Sequence, residues 1–261
     1  MKQDKALLVV SFGTTYPETS EHTIGAIETA LALAFSDRTF YRAWTSGFIR
    51  RKIRAATGEV IESVPEALTR MASDGVTDVL VQPTHLLVGE EYDKLRGELM
   101  NARHLFSAVS VGRPLLAEEA DIDALAELLP SLCPQVAAED MAIWMGHGSS
   151  SLRMPVYVIL NDRLTENGSD NHAVGTVEFD PGFDDVLERV KQRRPRRAVL
   201  LPLMVVAGDH AVNDMAGDGP DSWRSRLICA GVDVECVFKG LGEYEAIRAL
   251  YIDHAREAEE L

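Results

Sequence analysis

The stretch RAVLLPLMVVAGDHAVNDM, residues 197–215, runs from an apolar segment into a polar turn. After Arg197 the first residues are apolar without alternation, which is typical of a strand buried on both faces of a parallel sheet. Gly208 and Asp209 follow and predict the start of a helix, with Asp209 as its cap. A buried strand that leads into a helix is the repeating unit of α/β folds.

A second stretch, TDVLVQPTHLLVGEEYDKL at residues 77–95, has the same design. In both, the predicted strand ends in proline, a glycine follows six positions later, and an acidic residue follows the glycine. The paired positions are Pro83 with Gly89 and Pro202 with Gly208. The stretches LVVSFGTTY (8–16) and IWMGHGSSS (143–151) also resemble each other. This similarity predicts an internal duplication of one strand-and-helix design.

Eight apolar segments predict strands, and amphipathic segments between them predict helices. The predicted strands are 6–12, 38–45, 77–83, 106–112, 141–147, 172–178, 197–203 and 233–238. The predicted helices are 17–34, 62–74, 90–103, 117–129, 154–166, 182–193, 221–230 and 243–260. This alternation favours an α/β fold with parallel sheets flanked by helices. We predict two domains, 1–134 and 135–261, and leave open which of them the last helix packs on.

The composition is that of a globular protein with an acidic surface. The chain has 261 residues, 26 of them Lys or Arg and 41 Asp or Glu, which gives a net charge of −15. Such a charge repels nucleic acid and anionic lipid, so we expect neither as a partner. No apolar run is long enough to span a membrane, and the first residues lack a signal-peptide pattern. We therefore expect a cytoplasmic protein. The three cysteines, Cys133, Cys229 and Cys236, match no zinc-binding spacing, so we expect them to be buried apolar residues.

Ligands of open parallel sheets bind at the carboxyl ends of the strands. His147, Glu178 and His210 lie at or just after the ends of three predicted strands of the second half. Two imidazoles and one carboxylate suit a divalent cation such as Co²⁺, Fe²⁺, Ni²⁺ or Zn²⁺, and three protein ligands leave coordination positions open. Singly, each residue has an ordinary alternative: a turn residue, a solvated carboxylate, or a residue in a first helical turn. Their joint placement favours a metal site.

Two other motifs contain residue types that bind ligands in other proteins. The segment GHGSSS lacks the glycine spacing of a dinucleotide site and the lysine of a P-loop, so no organic cofactor is predicted. The segment IRRKIR (49–54) is the densest basic run in the chain. It is either a solvated helix face or a clamp for substrate carboxylates, in which Arg51 and Lys52 would take part.

Six segments together resemble the anaerobic sirohydrochlorin cobaltochelatases of cobalamin biosynthesis, which are class II chelatases. These segments are KALLVVSFGTTY (5–16), TSGFIRRKI (45–53), HLLVGEEYDKL (85–95), MGHGSS (145–150), VE (177–178) and LMVVAGDHAVNDMAGDGPDSW (203–223). The resemblance implies a chelatase-like fold: two similar α/β domains, each with a four-stranded parallel sheet, and an active-site cleft between them.

The resemblance also implies an activity, the insertion of Co²⁺ into sirohydrochlorin with release of two protons. The implied catalytic and metal-binding residues are His147, Glu178 and His210. Apart from the resemblance, Asp209 and Asp214 are candidates to orient His210, because both are near it in the sequence. The candidates for substrate binding are Ser11, Thr14, Thr15, Arg51, Lys52, His85, Glu90, Ser149 and Ser150.

Related activities remain open alternatives at this point. One is a ferrochelatase that acts on sirohydrochlorin, giving sirohaem, or on protoporphyrin. Another is a carrier that binds a tetrapyrrole or a metal without turnover. The same nitrogen and oxygen ligands bind Co²⁺, Fe²⁺ and Ni²⁺, so the residues alone do not select the metal. The expected partners are therefore sirohydrochlorin and a divalent metal ion, and a homo-oligomer is left open.

Overall fold

The computed structural model describes residues 4–150 and 154–261 and contains the eight predicted strands. They are β1 (Lys5–Ser11), β2 (Thr39–Trp44), β3 (Asp78–Pro83), β4 (Ala108–Val111), β5 (Met141–Gly146), β6 (His172–Thr176), β7 (Arg197–Pro202) and β8 (Asp233–Cys236). A further short strand, β9 (Glu259–Glu260), pairs antiparallel with β4. The predicted helix 243–260 therefore ends early, and the first sheet has five strands rather than four.

The strands form two sheets with the same internal order. The first is β2-β1-β3-β4-β9 and the second is β6-β5-β7-β8. All pairs except β4 with β9 are parallel. Strands β5 and β7 are almost wholly apolar and buried, as expected for central strands covered on both faces. The parallel α/β architecture predicted from the sequence is confirmed.

The helices lie between the strands. They are α1 (Pro17–Ser20), α2 (Ala26–Ala34), α3 (Gly47–Thr57), α4 (Val64–Ser73), α5 (Glu90–Ala102), α6 (Glu119–Leu132), α7 (Val156–Glu166), α8 (Phe183–Arg193), α9 (Trp223–Cys229) and α10 (Glu245–Arg256). Two π-helical turns, Glu21–Gly25 and Ala211–Met215, and two 3₁₀ turns, Arg103–Leu105 and Leu241–Glu243, complete the set. The first π-helical turn divides the predicted helix 17–34.

Helix α3 is not among the predicted helices, although a helix face is one of the two interpretations of the basic run that it carries. Its beginning is marked by Ser46, whose hydroxyl accepts a hydrogen bond from the Ile49 N–H. Its end is marked by Gly58, which has a φ of 77° and therefore takes the left-handed conformation that favours glycine. These two signals bound the helix in the sequence as well.

The chain divides into two compact units. The first comprises the chain up to Ala117 together with Glu245–Leu261, and the second comprises Glu118–Tyr244. The predicted boundary after residue 134 differs from this division, because α6 packs against α7 in the second unit. Helix α10 packs against α2 and β3, which places the last helix in the first unit. Each half of the sequence thus contributes its last helix to the other unit.

Each unit has its own apolar core. In the first, Leu68 of α4 and Leu95 of α5 pack against β1 and its neighbours. In the second, Phe183 of α8 and Trp223 of α9 pack against β5 and β7.

The expectation that the cysteines are buried holds for Cys133 and is wrong for Cys229, which is exposed, and for Cys236, which is partly exposed. None of the helices in the described part of the chain combines the length and the apolar character needed to cross a membrane.

Candidate metal centre

Two histidines meet at the carboxyl ends of neighbouring strands in the second unit. His147 directly follows β5, and His210 lies in the helical segment that begins at Asp209, after β7. Because β5 and β7 are paired in parallel, their following loops lie at the same edge of the sheet. The centroids of the two imidazole rings are 4.7 Å apart, with an angle of 86° between the rings.

The hydrogen bonds of the two rings determine which nitrogen can bind a metal. Nδ1 of His147 lies 2.9 Å from the Gly148 carbonyl oxygen, and Nδ1 of His210 lies 2.7 Å from Oδ2 of Asp214. A carbonyl and a carboxylate only accept hydrogen bonds, so each Nδ1 carries the proton. In the neutral imidazole Nε2 then has a free lone pair. Both rings are thus in the tautomer that can bind a metal through Nε2.

Glu178 lies beside this pair through its backbone. Its N–H donates to the His147 carbonyl at 2.9 Å, which extends the pairing of β5 with β6 beyond the strand ends. Its side chain is exposed. Within residues 4–150 and 154–261, no three His, Cys, Asp or Glu side chains form a group that could hold a metal ion. The structure therefore brings the two histidines together, and the Glu178 carboxylate does not complete a three-residue group with them.

Gly148 sets how closely the two loops approach. It has a φ of +89°, and a Cβ atom built on it would lie 1.7 Å from the Glu178 carbonyl oxygen. Any other residue would therefore clash with backbone as well as adopt a strained conformation. Glycine at this position allows the turn that contains His147 to lie against the turn that contains Glu178.

Thr176, the last residue of β6, stabilises the Glu178 turn and was not identified from the sequence. Its buried hydroxyl lies 2.7 Å from the Glu178 carbonyl oxygen and 2.8 Å from that of Phe179. Its N–H donates to the Pro181 carbonyl at 2.7 Å. A hydroxyl residue at a strand end is the signal that could have indicated this role, because threonine commonly bonds nearby backbone groups.

The two aspartates near His210 have different positions. Asp214 is one helical turn beyond His210, and their side chains are in direct contact. Asp209 is exposed and lies within the first turn of the helical segment, rather than before it as a cap would. The carbonyl of Gly208 accepts from the Val212 N–H, so Gly208 is the residue that precedes the helix.

The candidate substrate-binding hydroxyls of the first unit lie in two environments. Ser11 and Thr14 are buried. The Ser11 hydroxyl accepts from Thr84 Oγ1 at 2.8 Å, and Thr14 Oγ1 accepts from the Tyr16 N–H at 3.3 Å. Thr15 is partly exposed. In the second unit Ser149 is partly exposed and Ser150 is exposed.

His85 has the largest pKa shift among the candidate substrate-binding residues. It follows β3 in the first unit, it is buried, and neither ring nitrogen has a hydrogen-bond partner among the described residues. Burial disfavours the charged imidazolium and lowers the pKa of His85 to about 4, although the nearby Glu91 carboxylate opposes this shift. His85 is therefore a neutral group at physiological pH. Glu90, in the first turn of α5, is exposed.

The basic run on α3 separates into paired and exposed side chains. Arg50 lies 3.1 Å from the Glu66 carboxylate and also contacts the Ile61 carbonyl. Arg51, Lys52 and Arg54 are exposed. The two residues predicted to clamp substrate carboxylates, Arg51 and Lys52, thus lie on the solvent side of a regular helix.

Solved structures with the same architecture define the fold. SirB from Bacillus subtilis with Fe³⁺ superposes with a TM-score of 0.66 at 15% sequence identity, over 98% of this chain and 95% of that protein. At this identity the likeness concerns the fold, which is that of the chelatases.

Sequence comparison identifies the family. The model of the cobalt chelatase (CbiK) family matches residues 5–260. The sirohydrochlorin cobaltochelatase of Salmonella typhimurium is 39% identical over 97% of this chain and 96% of its own length. The sirohydrochlorin cobaltochelatase CbiKC of Nitratidesulfovibrio vulgaris is 32% identical over 97% and 90%. The chain therefore belongs to the cobalt chelatase (CbiK) family, and the resemblance seen in its motifs is confirmed.

Proposed function

We propose that this protein inserts Co²⁺ into sirohydrochlorin, giving cobalt-sirohydrochlorin and two protons, as an early step of anaerobic cobalamin biosynthesis. The observation that carries the proposal is the pair His147 and His210, whose Nε2 atoms are both available at one sheet edge. Membership of the cobalt chelatase family supports the same reaction. A homo-oligomer and a cytoplasmic location stay predictions.

The metal is a substrate that must be held and then released. Two imidazole nitrogens and the Glu178 carboxylate would bind Co²⁺ while other coordination positions stay open for the incoming ring nitrogens. The Glu178 side chain is exposed, so it can rotate towards the metal without breaking internal packing. Asp214 holds the Nδ1 proton of His210 and makes its Nε2 a better donor.

Two protons must leave the tetrapyrrole as the metal enters. An imidazole whose Nε2 is not bound to metal can accept one, because that nitrogen has a free lone pair. Protons and metal compete for the same Nε2 atoms, so we expect metal loading to weaken as the pH falls.

The carboxylates of the tetrapyrrole require local attraction, because the protein has a net charge of −15. Arg51 and Lys52 are exposed cations that form none of the ion pairs found among the described residues. The partly exposed or exposed hydroxyls of Thr15, Ser149 and Ser150 add hydrogen-bond donors. Ser11 and Thr14 would act indirectly, since their hydroxyls are engaged inside the first unit.

The decisive experiment mixes catalytic amounts of protein with sirohydrochlorin and Co²⁺ and follows the absorption spectrum of the ring. The proposal expects many turnovers per protein and a faster rate with Co²⁺ than with Fe²⁺ or Ni²⁺. Faster turnover with Fe²⁺ would indicate a ferrochelatase. A spectral change that stops at one equivalent of protein would indicate a carrier and contradict the proposal.

A further inference from the structure

Phe179 has a backbone conformation that its side chain disfavours. Its φ is 67°, in the left-handed region that glycine adopts freely and bulky residues rarely do. Within the described part of the chain, Arg194 is the other non-glycine residue with positive φ. Arg194 ends helix α8, where a left-handed residue is a common way to finish a helix. Phe179 follows no helix, so its conformation has a different origin.

The surrounding turn holds Phe179 in this conformation. The Phe179 carbonyl lies 2.8 Å from the hydroxyl of the buried Thr176, and the same hydroxyl contacts the Glu178 carbonyl. On the other side, the Glu178 carbonyl lies directly against Gly148. Strained backbone persists where the surrounding structure determines it in this way, and such positions concentrate at ligand sites.

Core packing does not explain why a phenylalanine occupies this position, because the Phe179 side chain is 54% exposed. Phe183, four residues later, is by contrast a residue of the apolar core. It is 6% exposed, and its ring lies 5.3 Å from that of Trp223 and under the guanidinium of Arg226. Phe179 thus has an unfavourable backbone conformation and an exposed ring. Burial of the ring does not offset the free-energy cost of that conformation.

We propose that the ring of Phe179 is a substrate-binding contact for the apolar surface of the tetrapyrrole, an inference that rests on the proposed function. Phe179 is the next residue after Glu178, whose N–H is bonded to the His147 carbonyl, so it is anchored beside the histidine pair. A conjugated macrocycle is flat and polarisable, and aromatic side chains bind such surfaces by stacking or edge contacts. This contact does not depend on charge, which suits an acidic protein that binds an acidic ligand.

The test uses Phe179→Gly, which removes the ring and relieves the backbone strain in one change. We expect the KM for sirohydrochlorin to rise about 3- to 10-fold, the range that one aromatic contact supplies. We expect kcat and the Kd for Co²⁺ alone to stay near wild type, and the Tm to stay equal or rise. Phe179→Tyr keeps the ring and should restore the wild-type KM.

Arg194→Gly is the matched control, because it relieves positive φ at an exposed helix end that does not adjoin the histidines. It should raise or preserve the Tm and leave the KM unchanged. An unchanged KM in Phe179→Gly, in an enzyme that turns over normally, would overturn the inference and leave a purely structural strain. If the wild-type protein inserts no Co²⁺, the proposed function fails. Fluorescence titration of the wild-type protein and of Phe179→Gly with metal-free sirohydrochlorin then still decides whether Phe179 binds the tetrapyrrole.

Discussion

The two sheets carry the same turn in two versions. Strand β3 ends in Pro83, and Gly89 leads into α5. Strand β7 ends in Pro202, and Gly208 leads into the π-helical segment. Two positions beyond each glycine the first unit has Glu91, and the second has His210. The backbone design is shared, but only the second version has an imidazole two positions after the glycine, whereas His85 of the first version precedes its glycine and is buried.

The loops after the first strand of each sheet repeat this relationship. Gly13 and Gly148 both have positive φ, at +98° and +89°. Phe12 accepts a backbone hydrogen bond from Ser46, just as His147 accepts one from Glu178. All three proposed metal ligands are therefore replaced in the first unit, by Phe12, Ser46 and Glu91. A duplicated scaffold can keep its backbone geometry while its chemistry diverges, because strand pairing constrains the backbone and leaves loop side chains free.

We expect the largest loss of activity when either of the two histidines of the second unit is replaced. We expect His147→Ala and His210→Ala each to lower the rate of cobalt insertion by more than about 100-fold. This loss exceeds the one usual for removing a residue that only hydrogen-bonds to a metal ligand. The absorption assay measures the rate, and circular dichroism verifies the fold. His104→Ala, an exposed histidine of the first unit, is the control. A fully active His210→Ala protein would remove His210 from the site.

Glu178 and Ser46 occupy corresponding positions and should respond differently. Glu178→Gln removes a charged ligand, and we expect about a 100-fold loss of insertion rate, comparable to losing a preorganised charge at a reacting centre. Ser46→Ala removes the cap of α3, and we expect it to lower the free energy of unfolding by about 1 kcal/mol without changing Co²⁺ binding. Equal kinetic effects of the two changes would contradict the asymmetry between the units.

Asp214 should matter less than the ligands. Asp214→Asn cannot accept the Nδ1–H bond of His210 with a full charge, so we expect about a 10-fold weaker Kd for Co²⁺. Isothermal titration calorimetry measures this constant. Asp218→Asn is the control, since Asp218 lies in the same segment and pairs with Arg224 on the surface. An unchanged Kd in Asp214→Asn would show that the His210 contact does not affect the metal.

The basic face of α3 should affect the organic substrate rather than the metal. We expect Arg51→Gln with Lys52→Gln to raise the KM for sirohydrochlorin about 3- to 10-fold, in line with the loss of one or two exposed ion pairs. The KM for Co²⁺ should stay unchanged, because neither side chain is among the proposed metal ligands and both are exposed to screening solvent. Steady-state kinetics at low salt separates the two constants. A wild-type KM for sirohydrochlorin in the double variant would exclude the clamp.

The last expected effect is on stability rather than on activity, and it concerns two buried histidines, one in each unit. Burial lowers the pKa of His85 and of His172 to about 4, so both are neutral in the folded protein between that value and the ordinary pKa. In this range the unfolded chain binds protons that the folded chain does not. The stability present above about pH 6.5 is therefore lost as the pH falls towards 4, by up to about 1.4 kcal/mol per pH unit for each histidine.

Urea unfolding at pH 7, 6 and 5 measures this slope, and His85→Leu should reduce it. The Trp144 indole donates to His172 at 3.2 Å, so replacing His172 would also disturb a buried hydrogen bond. His85 is the cleaner change, because its ring nitrogens have no partner within the described residues. Identical slopes for wild type and His85→Leu would contradict a neutral buried His85.

Much of the fold follows from local sequence patterns. The eight strands were predicted because an apolar run bounded by turn residues is a local signal. Helix α3 was overlooked because its basic face hides the apolar positions Ile49 and Ile53, although Ser46 and Gly58 mark its ends. The strand β9 has only two acidic residues, which carry no strand pattern. The candidate ligands could be proposed because the carboxyl end of a parallel strand is known once the strand is known.

The sequence by itself determined the strands, the duplicated turns and the types of side chain at the strand ends. Only the tertiary structure brought the rings of His147 and His210 to 4.7 Å, and only it buried Ser11 and Thr14. It also decided that α6 belongs to the second unit and α10 to the first. The physical reason is the range of the interactions. Periodicity and capping act between neighbours in the chain, whereas an amphipathic helix shows that it has an apolar face but not which sheet that face covers.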